Sequence, residues 1–267
     1  MHSLIDIGAN LTHDSFDADR AAVIARAQSV GVTQLIVTGA SSDGSEQAVA
    51  LATDNPGLLF ATTGVHPHHA SEYDSATDEL LRELATRSPV VAVGECGLDY
   101  FRDISTREEQ HSAFAAQLQI AVDVGKPVFL HQRDAHDDFI KILTPRIQDI
   151  SGGVAHCFTA GPAEMHAYLD LGLYIGITGW ICDERRSQDL REAVKSLPLD
   201  RVLVETDAPY LLPRNLPEKM TGRRNEPATL PHITRTLAEY MQTDLQELLA
   251  AAYRNTIKLF DLPTNHD

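Results

Sequence analysis

The sequence contains no run approaching the roughly 18 consecutive apolar residues that a membrane-crossing helix requires. It therefore reads as a chain that neither spans nor anchors in a membrane. Its opening, MHSLIDIGAN, lacks the basic stretch, apolar region and small-residue cleavage site of a secretory leader, and the expectation is a cytoplasmic protein. Cysteine is scarce. Cys96, Cys157 and Cys182 are odd in number, far apart and without a CxxC pair, which argues against a disulfide framework and fits a reducing compartment. Positive charge is also short: 22 Lys and Arg stand against 38 Asp and Glu, for a formal charge of −16. A chain with that balance repels polyanions at long range, so any reading that involves nucleic acid needs a local source of positive charge.

What is present is a recurring alternation. Short β-branched or apolar runs fall at residues 4–7, 34–38, 58–64, 90–94, 127–130, 153–155, 173–177 and 201–205. Longer stretches of helical spacing separate them, such as 107–124, where Phe114, Leu118 and Val122 recur one turn apart. Eight near-continuously apolar strands alternating with helices point to an α/β fold, a TIM-like (β/α)8 barrel forming one domain over residues 1–267. An open doubly wound sheet is the competing arrangement, but no GxGxxG follows the first strand. The segment 208–231 carries five prolines and the basic residues Arg214, Lys219, Arg223 and Arg224. It reads as a long loop after the eighth strand, on the face where barrels build active sites, and as a candidate substrate cover.

Polar residues fall at nearly every strand end: Asn10 after the first strand, His66 and His68 after the third, Glu95 after the fourth, then His131, His156 and Asp207 after the fifth, sixth and eighth. A lone histidine at a strand end is more often a structural hydrogen-bonding group than a ligand. Several in succession must converge on one mouth if the barrel closes, and burying them unpaired is costly. A cation resolves that cost. Nitrogen and oxygen donors suit Zn²⁺, Mn²⁺ or a harder ion, and the spread of the ligands, with room for water, suits a catalytic site better than a structural one. In VETDAPY, Glu205 and Asp207 share a face by the period of two. Asp207 is the candidate to bind metal and to orient or deprotonate water, with Glu205 supporting from beneath. A cysteine–histidine nucleophile from Cys157 and His156 is disfavoured, because strict alternation turns the thiol away from the mouth. Arg133, Arg185, Arg186, Arg223 and Arg224 are candidate phosphate partners, and Tyr100, Phe101, Trp180 and Tyr210 are candidate stacking surfaces.

The stretches DIGANLT, TGVHPH, GECGLDY, FLHQRDAH, HCFTAGPAEM, YIGITGWICDERR, ETDAPYLLPR and RRNEPATLPHI, in this order and nearly end to end, resemble the TatD family of metal-dependent deoxyribonucleases. The resemblance implies a barrel of the metallo-dependent hydrolase type, Mg²⁺ as the activating ion, and 3'–5' exonuclease action on single-stranded DNA and also RNA, in degradation or repair of DNA. It implies Glu95, His131 and His156 as metal ligands and Asp207 as the carboxylate of the eighth strand. Many members begin with DxHxH, whereas this chain has Gly8 and Asn10 at the histidine positions. The expectation is one well-held metal and a second, weaker site that lacks both imidazoles. Asn10, His66, His68, Arg133, Arg185, Arg223 and Arg224 would line the substrate path, and no obligate protein partner is indicated. The alternative activity is hydrolysis of amide or ester bonds, aminoacyl-tRNA esters included, since the same ligands activate water against carbonyl carbon. A barrel that only binds nucleic acid or a partner is the remaining alternative, and an intact ligand set argues against it.

Overall fold

The computed structural model describes residues 3–218 and 222–264. Its strands are β1 (Leu4–Ala9), β2 (Val32–Val37), β3 (Leu59–Thr63), β4 (Val90–Asp99), β5 (Val128–Arg133), β6 (Gly153–Ala155), β7 (Tyr174–Ile177) and β8 (Val202–Val204). They form one sheet in sequential order, each parallel to the next. A parallel bridge between Ala9 and Ala208 brings the two edges together. The Asp207 N–H donates to the Gly8 carbonyl at 2.8 Å and the Asn10 N–H to the Ala208 carbonyl at 2.7 Å. Between these edges the buried Asp6 carboxylate accepts from the Thr206 N–H (2.9 Å), the Thr206 hydroxyl (2.5 Å) and the Gly8 N–H (3.3 Å). The expected TIM-like barrel is thus nearly closed, and Asp6 stands in for the missing ladder along its seam.

Helices α1 (Arg20–Ser29), α2 (Ser42–Thr53), α3 (Ser75–Ala85), α4 (Arg107–Val124), α5 (His136–Leu143), α6 (Pro162–Asp170), α7 (Gln188–Ala193), α8 (Leu230–Met241) and α9 (Leu245–Phe260) follow in turn. α4 has the bounds its periodicity indicates. Thr106 and Glu109 close a reciprocal capping box at its start, and Gly125, at φ 68°, ends it in the left-handed conformation that glycine adopts without a side-chain clash. Its Phe114 and Leu118 are buried against the sheet.

Two apolar layers result. One lies between strands and helices. The other fills the barrel interior with Ile5, Ile7, Ile36, Phe129, Val154, Tyr174 and Leu203, and Leu259, Phe260 and Leu262 at the end of α9 plug its base. A filled and plugged interior leaves only the C-terminal end of the strands open for chemistry.

Four expectations change. β4 runs five residues past Gly94, to Asp99, and β5 runs to Arg133. The segment after β8 ends sooner than 231, because α8 begins at Leu230 and takes Pro231 into its first turn, where a missing N–H costs nothing. That segment is also not a free cover at its far end: Asn225 is buried and donates to the Thr206 carbonyl, while Glu226 pairs with Arg26 of α1 at 2.6 Å. Lys219 lies outside the described residues.

Candidate metal centre at the barrel mouth

Glu95 reaches the mouth through an irregularity in β4. The register against β5 shifts between Gly94 and Cys96, so Glu95 has no partner across the ladder, and its N–H bonds instead to the Gly39 carbonyl beyond β2. An extra residue of this kind re-aims a side chain. Glu95 Oε1 then lies 3.0 Å from His131 Nδ1, 3.4 Å from His66 Nε2 and 3.5 Å from His156 Nε2. Burial alone would raise the Glu95 carboxyl, but the neighbouring His66 and His156 outweigh it and hold the group ionised, below the usual carboxylate range.

Each imidazole is itself oriented. His131 ends its ring between two carboxylates, with Nδ1 on Glu95 and Nε2 at 3.2 Å from Asp99. Burial pulls its pKa down, and hydrogen bonds to Asp99 and Glu95 raise it above the ordinary value. His156 turns Nδ1 to Glu205 Oε2 at 2.6 Å, which leaves Nε2 for the mouth. His66 caps the short helical turn after β3 by accepting from the His68 N–H, and burial lowers its pKa well below the ordinary value. His68 Nε2 meets Asp99 at 2.9 Å.

Glu205 lies beneath, fully buried, as expected from the period of two. Besides His156, it accepts from the Cys157 N–H at 2.6 Å. Gly8 and Gly176 flank it and leave it room: a Cβ at either glycine would come within 2.5 Å of one of its oxygens and force the carboxylate to shift. The space left open by the absent side chain at residue 8 is thus the space into which the Glu205 carboxylate reaches. Asp207 adopts φ 53° just past the end of β8, and its Oδ1 accepts from the Asn10 amide at 2.9 Å. Burial pushes its carboxyl up to about 7, opposed by His156 and reinforced by Glu95 and Glu205.

Among the described residues, two groups bring one ligand atom each within 4.8 Å of one another: His66, Asp99 and His131, and His156, Cys157 and Asp207. Asp99 is not singled out by the sequence, and Cys157 is expected from it to face away from the mouth. For Asp99 the signal was available, since Glu95, Gly97 and Asp99 continue the period of two along β4. For Cys157 the alternation argument fails: φ is 46° there, so the thiol joins the mouth beside Asp207. Burial and the carboxylates of Asp207 and Glu205 push its pKa well above the ordinary value, which disfavours a free thiolate there.

The arginines divide. Arg185 and Arg186 both bind the buried Asp183 carboxylate, at 2.9 Å and 3.0 Å, and Arg214 approaches it at 3.9 Å, with all three more than half exposed. Arg186 also covers Trp180. Arg133 stacks on Phe101, which is 55% exposed, as Tyr210 is at 51%. Arg223 is exposed. Arg224 is occupied elsewhere: it donates to both Asp19 oxygens (2.7 and 2.8 Å) and to the Ser15 carbonyl, and lies over Phe16.

Buried nitrogen and oxygen donors gathered around one ionised carboxylate suit a divalent cation. No helix among the described residues is long and apolar enough to cross a membrane. The profile of the family described as TatD related DNase matches residues 5–261. A relative from Erwinia billingiae named "3'-5' ssDNA/RNA exonuclease TatD" is 50% identical over 97% of this chain and 100% of its own length. One of the same name from Escherichia fergusonii is 49% identical over 97% of this chain and 99% of its own. Among solved structures, YJJV, a TatD homolog from Escherichia coli K12, superposes with a TM-score of 0.89 at 30% identity, covering 97% of this chain and 98% of that one. A TatD family hydrolase from Entamoeba histolytica does so with a TM-score of 0.89 at 28% identity, over 98% and 99%. These matches run from β1 through the last helix and take in every strand end that builds the mouth, so the chain belongs to the family of TatD-related DNases.

Proposed function

We propose that the chain is a divalent-metal-dependent nuclease that removes nucleotides from the 3' end of single-stranded DNA and RNA, with Glu95, His131 and His156 as the principal cation ligands and Asp207 beside them. The observation that carries this reading is the position of Glu95 Oε1 within 3.5 Å of three imidazole nitrogens at the open end of the barrel. A divalent cation, Mg²⁺ by family and Mn²⁺ or Zn²⁺ by donor type, supplies charge against the phosphoryl oxygens and makes water a stronger nucleophile.

The protein groups divide the remaining work. Asp207, held through Oδ1 by Asn10, has its other oxygen left to orient water for in-line attack and accept its proton. A carboxyl that titrates near neutrality suits that exchange. Glu205 acts through His156 by fixing the ring that Glu95 shares. His66 and His68 line the pocket beside the leaving oxygen. Arg133 and Arg223 hold phosphates bidentately and Arg185, already paired through Nε and Nη2 with Asp183, uses its remaining edge, and together they supply locally the positive charge that the chain lacks overall. With Gly8 and Asn10 in place of imidazoles, a second hard cation is weakly held and arrives with the substrate phosphate.

The test is release of mononucleotides from an end-labelled single-stranded DNA, with and without Mg²⁺, beside His131→Ala. Metal-dependent laddering that shortens the 3' end and falls by more than about 100-fold in the variant is the expected result, a loss beyond what outer-shell changes cost. No cleavage under any divalent ion would overturn the reading and favour amide or ester substrates.

A further inference from the structure

The cysteine beside His156 is unused in that chemistry, and its surroundings are those of a ligand. We propose that His156, Cys157 and Asp207 form a second cation site, overlapping the nuclease centre at His156 and Asp207, that takes a soft divalent cation of the Zn²⁺ or Cd²⁺ class and, when occupied, excludes the cation that the nuclease reaction needs.

The geometry has three independent parts. One ligand atom from each of the three side chains lies within 4.8 Å of the other two, close enough for a single ion to touch all three. The backbone then places the thiol deliberately. β6 ends at Ala155, and at Cys157 the chain turns to φ 46°, held by the N–H bond to Glu205 Oε1 at 2.6 Å. Sγ comes to rest 3.5 Å from the Thr178 hydroxyl at the end of β7, partly exposed, whereas Cys96 and Cys182 are completely buried. Finally, the donor types discriminate. Mg²⁺ takes oxygen ligands and gains nothing from a thiol, while nitrogen, sulfur and carboxylate oxygen together select Zn²⁺ and its softer relatives.

Exclusion follows from His156. Its Nδ1 is engaged by Glu205 at 2.6 Å, so a single lone pair, on Nε2, remains for a cation, and it cannot serve two ions at once. Binding is a proton exchange without redox change: the thiol loses its proton to solvent as the sulfur–metal bond forms. The site borrows His156 and Asp207 from the proposed nuclease centre but needs neither Glu95 nor His131, so that His131→Ala separates the two experimentally.

The experiment titrates the metal-free chain with Cd²⁺ and follows the ultraviolet thiolate-to-cadmium charge-transfer band, with no substrate present. The expected result is a band that saturates at one equivalent, is lost in Cys157→Ser, and needs more than about 100-fold higher Cd²⁺ in Asp207→Asn, a loss beyond the ~10–100-fold that outer-shell changes cost. His131→Ala, which removes a nuclease ligand but none of the trio, keeps the band at similar Cd²⁺ concentrations. Absence of the band in the unaltered protein, its persistence in Cys157→Ser, or its loss in His131→Ala would each overturn the proposal. None of these outcomes depends on whether the chain cuts DNA.

Discussion

A side chain at residue 8 and the carboxylate of Glu205 compete for one space in the barrel: a Cβ on Gly8 would sit 2.5 Å from Glu205 Oε2 and 3.0 Å from the ring of Phe129. Glu205 uses the space to bind Nδ1 of His156. Gly8→Ala is therefore an overpacking change, expected to cost about 1–3 kcal/mol in a denaturant melt. Glu205→Ala should lower cation affinity by roughly 10–100-fold in a calorimetric titration, because it frees the His156 ring. Combining the two should cost less stability than the sum, since the clash disappears with the carboxylate. Strict additivity would mean that the two residues do not share this space.

Asp99 holds the second imidazole as Glu205 holds the first, with Oδ2 on His131 Nε2 and on His68 Nε2 and Oδ1 on the Arg102 N–H. Burial would raise its pKa, yet the two histidines keep it well below the usual carboxylate range. Asp99→Asn preserves shape but weakens both imidazole contacts. We expect Mg²⁺ titrations of activity to shift to about 10-fold higher metal, with turnover at saturating metal far less affected. Equal loss at every metal concentration would instead assign Asp99 a direct part in the reaction.

The strand ends that carry Glu95, His131 and His156 were legible because apolar runs bounded by polar residues have few alternatives in a chain of this length. The finer aim of those side chains was not. Period-two reasoning holds for Glu205, which is buried beneath His156, but a register shift re-aims Glu95 and a positive φ re-aims Cys157. Both are backbone irregularities set by tertiary contacts, and neither leaves a mark in local composition. Arginine roles were equally hidden. Arg223 and Arg224 are adjacent in sequence, and only the fold reveals that Asp19, far away along the chain, claims the second of them.

That pair yields a contrast. Arg224→Ala should lower stability by on the order of 1 kcal/mol and leave KM nearly unchanged, since its partners are Asp19 and Ser15. Arg223→Ala should leave the melt unchanged, raise KM for single-stranded DNA and reduce the slope of log affinity against log salt by about 0.7, the loss of one phosphate contact. Asp183→Asn should act like a milder multiple of the second case, because it loosens Arg185 and Arg186 together. Exchange of the two phenotypes between Arg223 and Arg224 would show that the rim is arranged otherwise.

The mouth also sets how stability depends on pH. Asp207 titrates at about 7 in the fold against 3.8 unfolded. Its native state therefore holds a proton that the unfolded chain has released, and the associated stability, complete below 3.8, is lost as pH rises through 7. His156 stands at about 10 against 6.5, burial being outweighed by Glu205 and Glu95, so its contribution is complete below 6.5 and is lost as pH rises through 10. Both signs agree: metal-free protein should melt at progressively lower temperature from about pH 6 to about pH 9. A divalent cation bound at the proposed ligands should reverse the slope. Held by the proposed ligands, it would take the place of the protons on Asp207 and His156 and displace one from His131, which two carboxylates hold toward its charged form, so affinity should rise with pH. Thermal melts across that range, with chelator and with excess Mg²⁺, should diverge as pH increases. Parallel curves would mean that these groups do not exchange protons for metal, and the ligand assignment would have to move elsewhere on the barrel.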